Sequence, residues 1–179
     1  MKGIILSEFV EYLEAELGGA TAQKIIDESG VVSEGVYSRV GMYDYQELIQ
    51  LLTQTVTHTN TEASVLLEGF SDHLFKMFKR DYSVFFEGVK TAGEMLAQID
   101  NHIHVEVKKL YPDAELPKFE YEQNDDVMTL HYVSPRPLAA VAQALVGACL
   151  KFFAKNETLL KTDIADDQKS ATFSIQIAT

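Results

Sequence analysis

The sequence predicts an α+β fold: a helical N-terminal half, then a strand-rich C-terminal half containing one long helix. Three observations carry this. From Lys2 to about Leu110 the apolar residues recur at intervals of three and four. After Tyr111 the interval becomes two. Between the two regimes stand Pro112 and Pro117, which stop a helix.

Ile5, Phe9, Leu13 and Leu17 form the first helical stripe. Gly30, Gly35 and Gly41 punctuate the connection that follows. Asp44 and Glu47, spaced like a capping box, precede the second stripe of Leu48, Leu51, Leu52 and Val56. Val65, Leu66, Phe70, Leu74, Met77 and Phe78 make the third. Met95, Leu96, Ile99, Ile103, Val107 and Leu110 make the fourth, read as one continuous helix. In Val127–Ser134 one strand face carries Met128, Leu130, Tyr132 and Ser134, the other Thr129, His131 and Val133. Phe173, Ile175 and Ile177 alternate in the same way with polar residues. Pro137 opens the intervening helix, with Leu138, Val141, Leu145 and Phe152.

The chain has 179 residues, without repeats or linkers, so one domain over residues 1–179 is expected. Its 27 Asp+Glu against 15 Lys+Arg give a net charge of −12. That charge disfavours nucleic acid and anionic membrane surfaces as partners. One cysteine excludes an internal disulfide and any multi-Cys metal site. The apolar start Met1–Leu6 is broken by Ser7, Glu8 and Glu11, too soon for a signal peptide, and no stretch is long enough for a membrane span. A cytoplasmic location is expected.

Two features carry chemistry. His102 and His104 lie about 200° apart on a helix and cannot ligate one metal together. The stripe centred on Ile103 leaves both on its flanks, so periodicity does not choose between them. Tyr132, Ser134 and Arg136 continue an interior strand face that turns from apolar to two hydroxyls and a guanidinium. Such a set grips a carboxylate or phosphate. The alternative is that Ser134 caps the next helix and Arg136 pairs with a surface Glu. Cys149, among Ala148, Leu150 and Phe152, reads as a buried inert thiol. The acidic clusters Glu120–Asp126 and Asp163–Asp167 read as solvated turns.

Several separated pieces together resemble the H-NOX (haem–nitric oxide/oxygen-binding) family, which includes the haem sensor domain of soluble guanylate cyclase. They are the opening Met1-Lys-Gly-Ile-Ile5, the segment from Ile103-His104 through Leu-Tyr-Pro-Asp-Ala114 with Leu116-Pro117, and the Tyr132-x-Ser134-x-Arg136 motif. The resemblance covers essentially the whole chain. It implies the H-NOX fold, with an antiparallel sheet and haem b buried between the two halves. It also implies His104 as the axial iron ligand. Tyr132, Ser134 and Arg136 would clamp the propionates. Pro117 would press on the porphyrin, and Ile5, Phe9, Leu74, Phe78, Val141 and Leu145 would line the pocket.

Oxygen-binding relatives carry a distal Tyr five residues after the motif Arg. Here that position is Val141, with Leu145 one turn on, so no donor is offered to bound oxygen. The resemblance therefore implies a sensor for nitric oxide and carbon monoxide, not appreciably for oxygen. Nitric oxide should weaken the iron–His104 bond and free the histidine's helix. The implied partner is a histidine kinase or a diguanylate cyclase/phosphodiesterase, in two-component or cyclic-di-GMP signalling. The Cys-rich zinc site of some bacterial relatives cannot form, leaving residues 162–169 to packing alone. Two other readings compete: a haem-free adaptor, and a metal-dependent hydrolase using Asp100, His102 and His104.

Overall fold

The structure, a computed structural model, describes residues 1–177. It separates into two compact units, Met1–Leu74 and a second beginning at Phe75.

The first unit holds α1 (Gly3–Leu17), α2 (Gly19–Ser29), α3 (Gln46–Thr59) and the first part of α4 (Ala63–Asp81). Much of each stripe read from the sequence is buried: Phe9, Leu13, Leu48, Leu51 and Phe70 are at most 1% exposed, joined by Leu6 and Ile25, whereas Ile5 and Leu17 are half-buried and Val65 is 55% exposed. Phe70 meets Phe9 edge-on at 4.8 Å, a favourable aromatic geometry. The free N–H groups that open α1 are satisfied from outside the helix, Gly3 N by Gly41 O (2.9 Å) and Ile4 N by Arg39 O (3.1 Å). This close approach requires glycine, since a Cβ at Gly3 would lie 2.0 Å from Ser38 O.

Helix α3 is capped differently from the expectation. Asp44 Oδ1 accepts from Gln46 N (3.0 Å), but Glu47 does not reach back to complete a capping box. Its carboxylate is buried instead, accepting from the hydroxyls of Ser33 and Tyr37.

The second unit continues α4, then a 3-10 turn (Ser83–Phe86), α5 (Ala92–Ala97), a π-helical turn (Ile99–Ile103) and α6 (His104–Leu110). Strands β1 (Lys118–Asn124) and β2 (Val127–Val133) precede α7 (Ala139–Phe153), and β3 (Thr158–Ile164) and β4 (Ser170–Gln176) follow it. They form one antiparallel sheet in the order β1-β2-β4-β3. Met128, Leu130 and Tyr132 alternate inward, opposite Ile175, Phe173 and Ala171 in register, and α7 covers that face. Val146 and Cys149 of α7 complete this core with Met95 and Leu96.

Several local expectations change. The fourth stripe is not one helix, because the π turn divides it. Pro137 stands two residues before the first helical residue Ala139 rather than opening α7. Most of the acidic run Glu120–Asp126 is the edge strand β1, whose exposure on both faces admits polar residues throughout. Residues 162–169 are held by turn hydrogen bonds as well as packing. Ala165 N donates to Ser170 O (3.0 Å), Gln168 N to Ala165 O (2.9 Å) and Lys169 N to Asp167 Oδ1 (2.9 Å). Among the described residues, no helix is long and apolar enough to cross a membrane.

Candidate functional site

The segment leading to His104 is anchored at its start. The buried Glu157 carboxylate accepts from Ala92 N (2.6 Å) and Gly93 N (3.0 Å), holding the first turn of α5. After α5 the helix widens, with Ile103 N donating to Gln98 O (3.1 Å) and His104 N to Ile99 O. The extra residue shifts the angular register that a regular helix would give, so the symmetric placement of the two histidines read from periodicity does not hold here. His102 is exposed, its ring edge-on to Phe85 at 5.8 Å. His104 is turned inward, its side chain only 17% exposed.

Asp100 fixes this histidine. Its Oδ1 accepts from Phe119 N (3.1 Å) and lies 3.4 Å from His104 Nδ1. Burial pushes the His104 imidazole below its ordinary pKa, with Asp100 opposing. The ring is thereby favoured in its neutral, metal-ligating form. With Nδ1 facing Asp100, Nε2 has no hydrogen-bond partner among the described residues.

Ring contacts run from His104 to Phe119 (5.9 Å) and from Phe119 to Tyr132 (5.3 Å), joining the helix to the sheet. Tyr132 and Ser134 are both buried. Burial raises the Tyr132 phenol, with Ser134 and the Arg136 charge opposing, so the hydroxyl keeps its proton. Ser134 Oγ accepts from Arg136 N (3.1 Å) and does not cap α7. The Arg136 fork donates to Glu115 O (3.2 Å) and Glu115 Oε2 (2.5 Å). Glu115 is 66% exposed, so this carboxylate can leave into solvent and yield its place to another.

Pro117, two residues on, is half-buried, as is Phe78, which meets Phe75 edge-on at 6.4 Å. Val141 and Leu145 lie one turn apart on α7, both half-buried. In the first unit Phe9 and Leu74 are fully buried and Ile5 half-buried. Ser71 Oγ is the one buried side-chain polar atom without a hydrogen-bond partner among the described residues.

The donor set suits a haem: a neutral imidazole whose Nε2 has no partner among the described residues, a guanidinium that already holds a carboxylate, two hydroxyls beside it in sequence, and half-buried apolar side chains at Phe78, Val141 and Leu145. It does not suit a hydrolytic metal. Asp100, His102 and His104 do not converge, and the only three-ligand grouping among the described residues is Glu8, Glu11 and His73. There Arg39 already sits on Glu8 at 2.5 Å. Sequence reasoning missed Phe119, Glu115, Ser71 and Glu157, whose roles arise from long-range placement. Asp100, four residues before His104, was visible but was weighed only as a metal ligand.

The sequence pattern of the Haem-NO-binding family matches residues 2–159. The chain belongs to this H-NOX family. The Fe(II) unliganded H-NOX protein from K. algicida is 35% identical, with 100% of this chain and 97% of that one covered and a TM-score of 0.89. The H-NOX from Shewanella woodyi, solved with IWP-051 in the Fe(II)CO state, is 33% identical over 99% of this chain and 95% of that one, with a TM-score of 0.82. An H-NOX protein from S. oneidensis in the Fe(II)NO state shares the fold at 20% identity, covering 100% of both chains, with a TM-score of 0.87. No curated protein matches the sequence. H-NOX domains bind haem and are sensors, not enzymes.

Proposed function

We propose that this H-NOX chain binds nitric oxide and carbon monoxide, and not appreciably oxygen, at ferrous haem ligated by His104. Release of that histidine is relayed to a separate signalling protein in the cytoplasm, a histidine kinase or a diguanylate cyclase/phosphodiesterase. The observation that carries the reading is His104 itself: inward, held neutral, tied at Nδ1 and unpartnered at Nε2. The family's description and the carbon monoxide state of the Shewanella woodyi relative support the two gases.

Bound haem would supply the iron that takes a diatomic gas. The protein supplies the rest. Asp100 orients the imidazole through Nδ1 and raises its basicity as a ligand. Arg136, Tyr132 and Ser134 would hold the propionates, Arg136 giving up the exposed Glu115 carboxylate to do so. Pro117 would pack against the porphyrin. Phe78, Val141 and Leu145 exclude water and offer no hydrogen bond, and Ile5, Phe9 and Leu74 have the same apolar role. Helix α6 contributes no residue to the buried hydrophobic core, so release of His104 would disturb little core packing and leave the helix free to move.

Absorption spectra of the reduced protein test this directly. A Soret band should be present and should shift with nitric oxide and with carbon monoxide, but not on exposure to air. A stable oxygen spectrum would sink the selectivity, and a colourless protein would sink the sensor in favour of an adaptor. Arg136→Ala should release haem to apomyoglobin about ten- to a hundredfold faster, the loss expected for a charged hydrogen bond worth about 1.5–3 kcal/mol. Its preference among the gases should be unchanged.

A further inference from the structure

The loop between α2 and α3 is built inside out. From Val32 to Gln46 every even-numbered residue is exposed. Four of these are large and apolar: Val32 (91%), Val36 (77%), Val40 (62%) and Met42 (41%). The residues between them turn polar groups inward. Ser33 and Tyr37 donate to the buried Glu47 carboxylate. Arg39 donates to Glu8 Oε1 (2.5 Å), while His73 Nε2 lies 2.8 Å from Glu8 Oε2. Surface loops ordinarily do the reverse, sending polar side chains to water and apolar ones inward.

The exposed valines do not belong to a loose segment. The backbone of residues 39–43 is stitched to the start of the chain by Gly3 N–Gly41 O, Ile4 N–Arg39 O and the Met1 amino group to Tyr43 O (2.5 Å). Ser38 N donates to the Tyr43 hydroxyl (2.8 Å). Two buried carboxylates, unfavourable unless fully paired, are thus used to hold this loop in one shape. A rigid display of apolar side chains lowers the ordering cost of binding.

Charge narrows the occupant. Residues 1–74 hold 12 Asp+Glu and 3 Lys+Arg, so they carry −9 of the chain's net −12. Glu34 and Asp44 are exposed within the loop, and Asp27 and Glu28 just before it. A second copy would bring like charges together, and an anionic lipid surface would be repelled. What fits is a protein surface with apolar side chains ringed by Lys and Arg.

We propose that the Val32–Met42 loop docks the signalling partner, and that this partner presents such a basic-rimmed apolar surface. The identity of that partner as the sensor's output rests on the function proposed above; the binding itself does not. The loop is bonded to the first turn of α1, the helix that carries Ile5 and Phe9.

The test uses the haem-loaded full chain and a fluorescein-labelled 14-residue amphipathic peptide of Leu and Lys. Fluorescence anisotropy should show binding that weakens with salt. Hydrogen–deuterium exchange should show new protection in residues 31–46. The triple variant V32S/V36S/V40S should bind at least tenfold more weakly, with an unchanged far-UV CD spectrum. Equal binding by a Ser/Lys peptide, protection elsewhere, or an unaffected triple variant would overturn the proposal. So would self-association through the loop, or binding to phosphatidylserine vesicles. The nitric oxide spectrum of the same variant separates the two readings: a normal spectrum with full peptide binding leaves the sensor standing and removes the docking surface.

Discussion

His104→Gly should give a protein that signals as though gas were already present. The variant lacks the imidazole that anchors α6, so the helix adopts its released position without nitric oxide. Added imidazole, small enough to enter the space left by the side chain, should supply a ligand but, being untethered to α6, should not restore the unreleased state. The partner's activity is the readout: His104→Gly should match the nitric oxide state of the wild type and lose essentially all further response to the gas. A variant that behaves like the unliganded wild type would remove ligand release from the mechanism. The fold should survive the change, because no residue of α6 belongs to the buried hydrophobic core.

Val141→Tyr should create oxygen binding where the wild type has little. Val141 is half-buried and lies one helical turn before Leu145, so a phenol there enters the apolar stripe rather than the Ala-rich buried side of α7. A hydrogen bond to a charged group is worth about 1.5–3 kcal/mol, or roughly ten- to a hundredfold in affinity. Oxygen, which gathers negative charge when bound, should gain by that factor. Carbon monoxide should gain much less. Oxygen titration of the reduced variant checks the shift, and Val141→Phe separates the hydroxyl's contribution from that of bulk. Equal oxygen affinity in the Tyr and Phe variants would show that polarity at this position does not set the selectivity.

The sequence was legible where one period governed a whole element. Alternation in 127–134 placed Met128, Leu130 and Tyr132 on the buried face, because a strand repeats every two residues without drift. The stripe of α3 was legible in the same way at Leu48, Leu51 and Leu52, whereas in α1 only Phe9 and Leu13 of the stripe are buried, beside Leu6 and Tyr12. Legibility ended where a single residue changed the period. The π turn at 99–103 adds one residue between α5 and α6, and that decides which histidine turns inward. Composition cannot reveal such an insertion; the family resemblance supplied the choice instead.

Long-range polar pairing was hidden for another reason. Arg136 was seen to need a carboxylate, but nothing local names Glu115, twenty-one residues earlier. The loop at 32–42 was hardest, since valines at alternate positions suggest a buried strand face. Only Glu8 and Glu47, which draw the intervening polar side chains inward, reverse that pattern.

Cys149 has a consequence for the kind of message this protein can receive. It is 1% exposed, and burial, reinforced by Glu157, pushes its thiol far above the ordinary range. Nitrosation, glutathione exchange and peroxide oxidation all proceed through an accessible thiolate, and the chain's single sulfhydryl supplies none. Reactive nitrogen and oxygen species therefore find no foothold at cysteine. Oxidative stress would leave this chain's thiol untouched, so no message reaches the protein through cysteine chemistry.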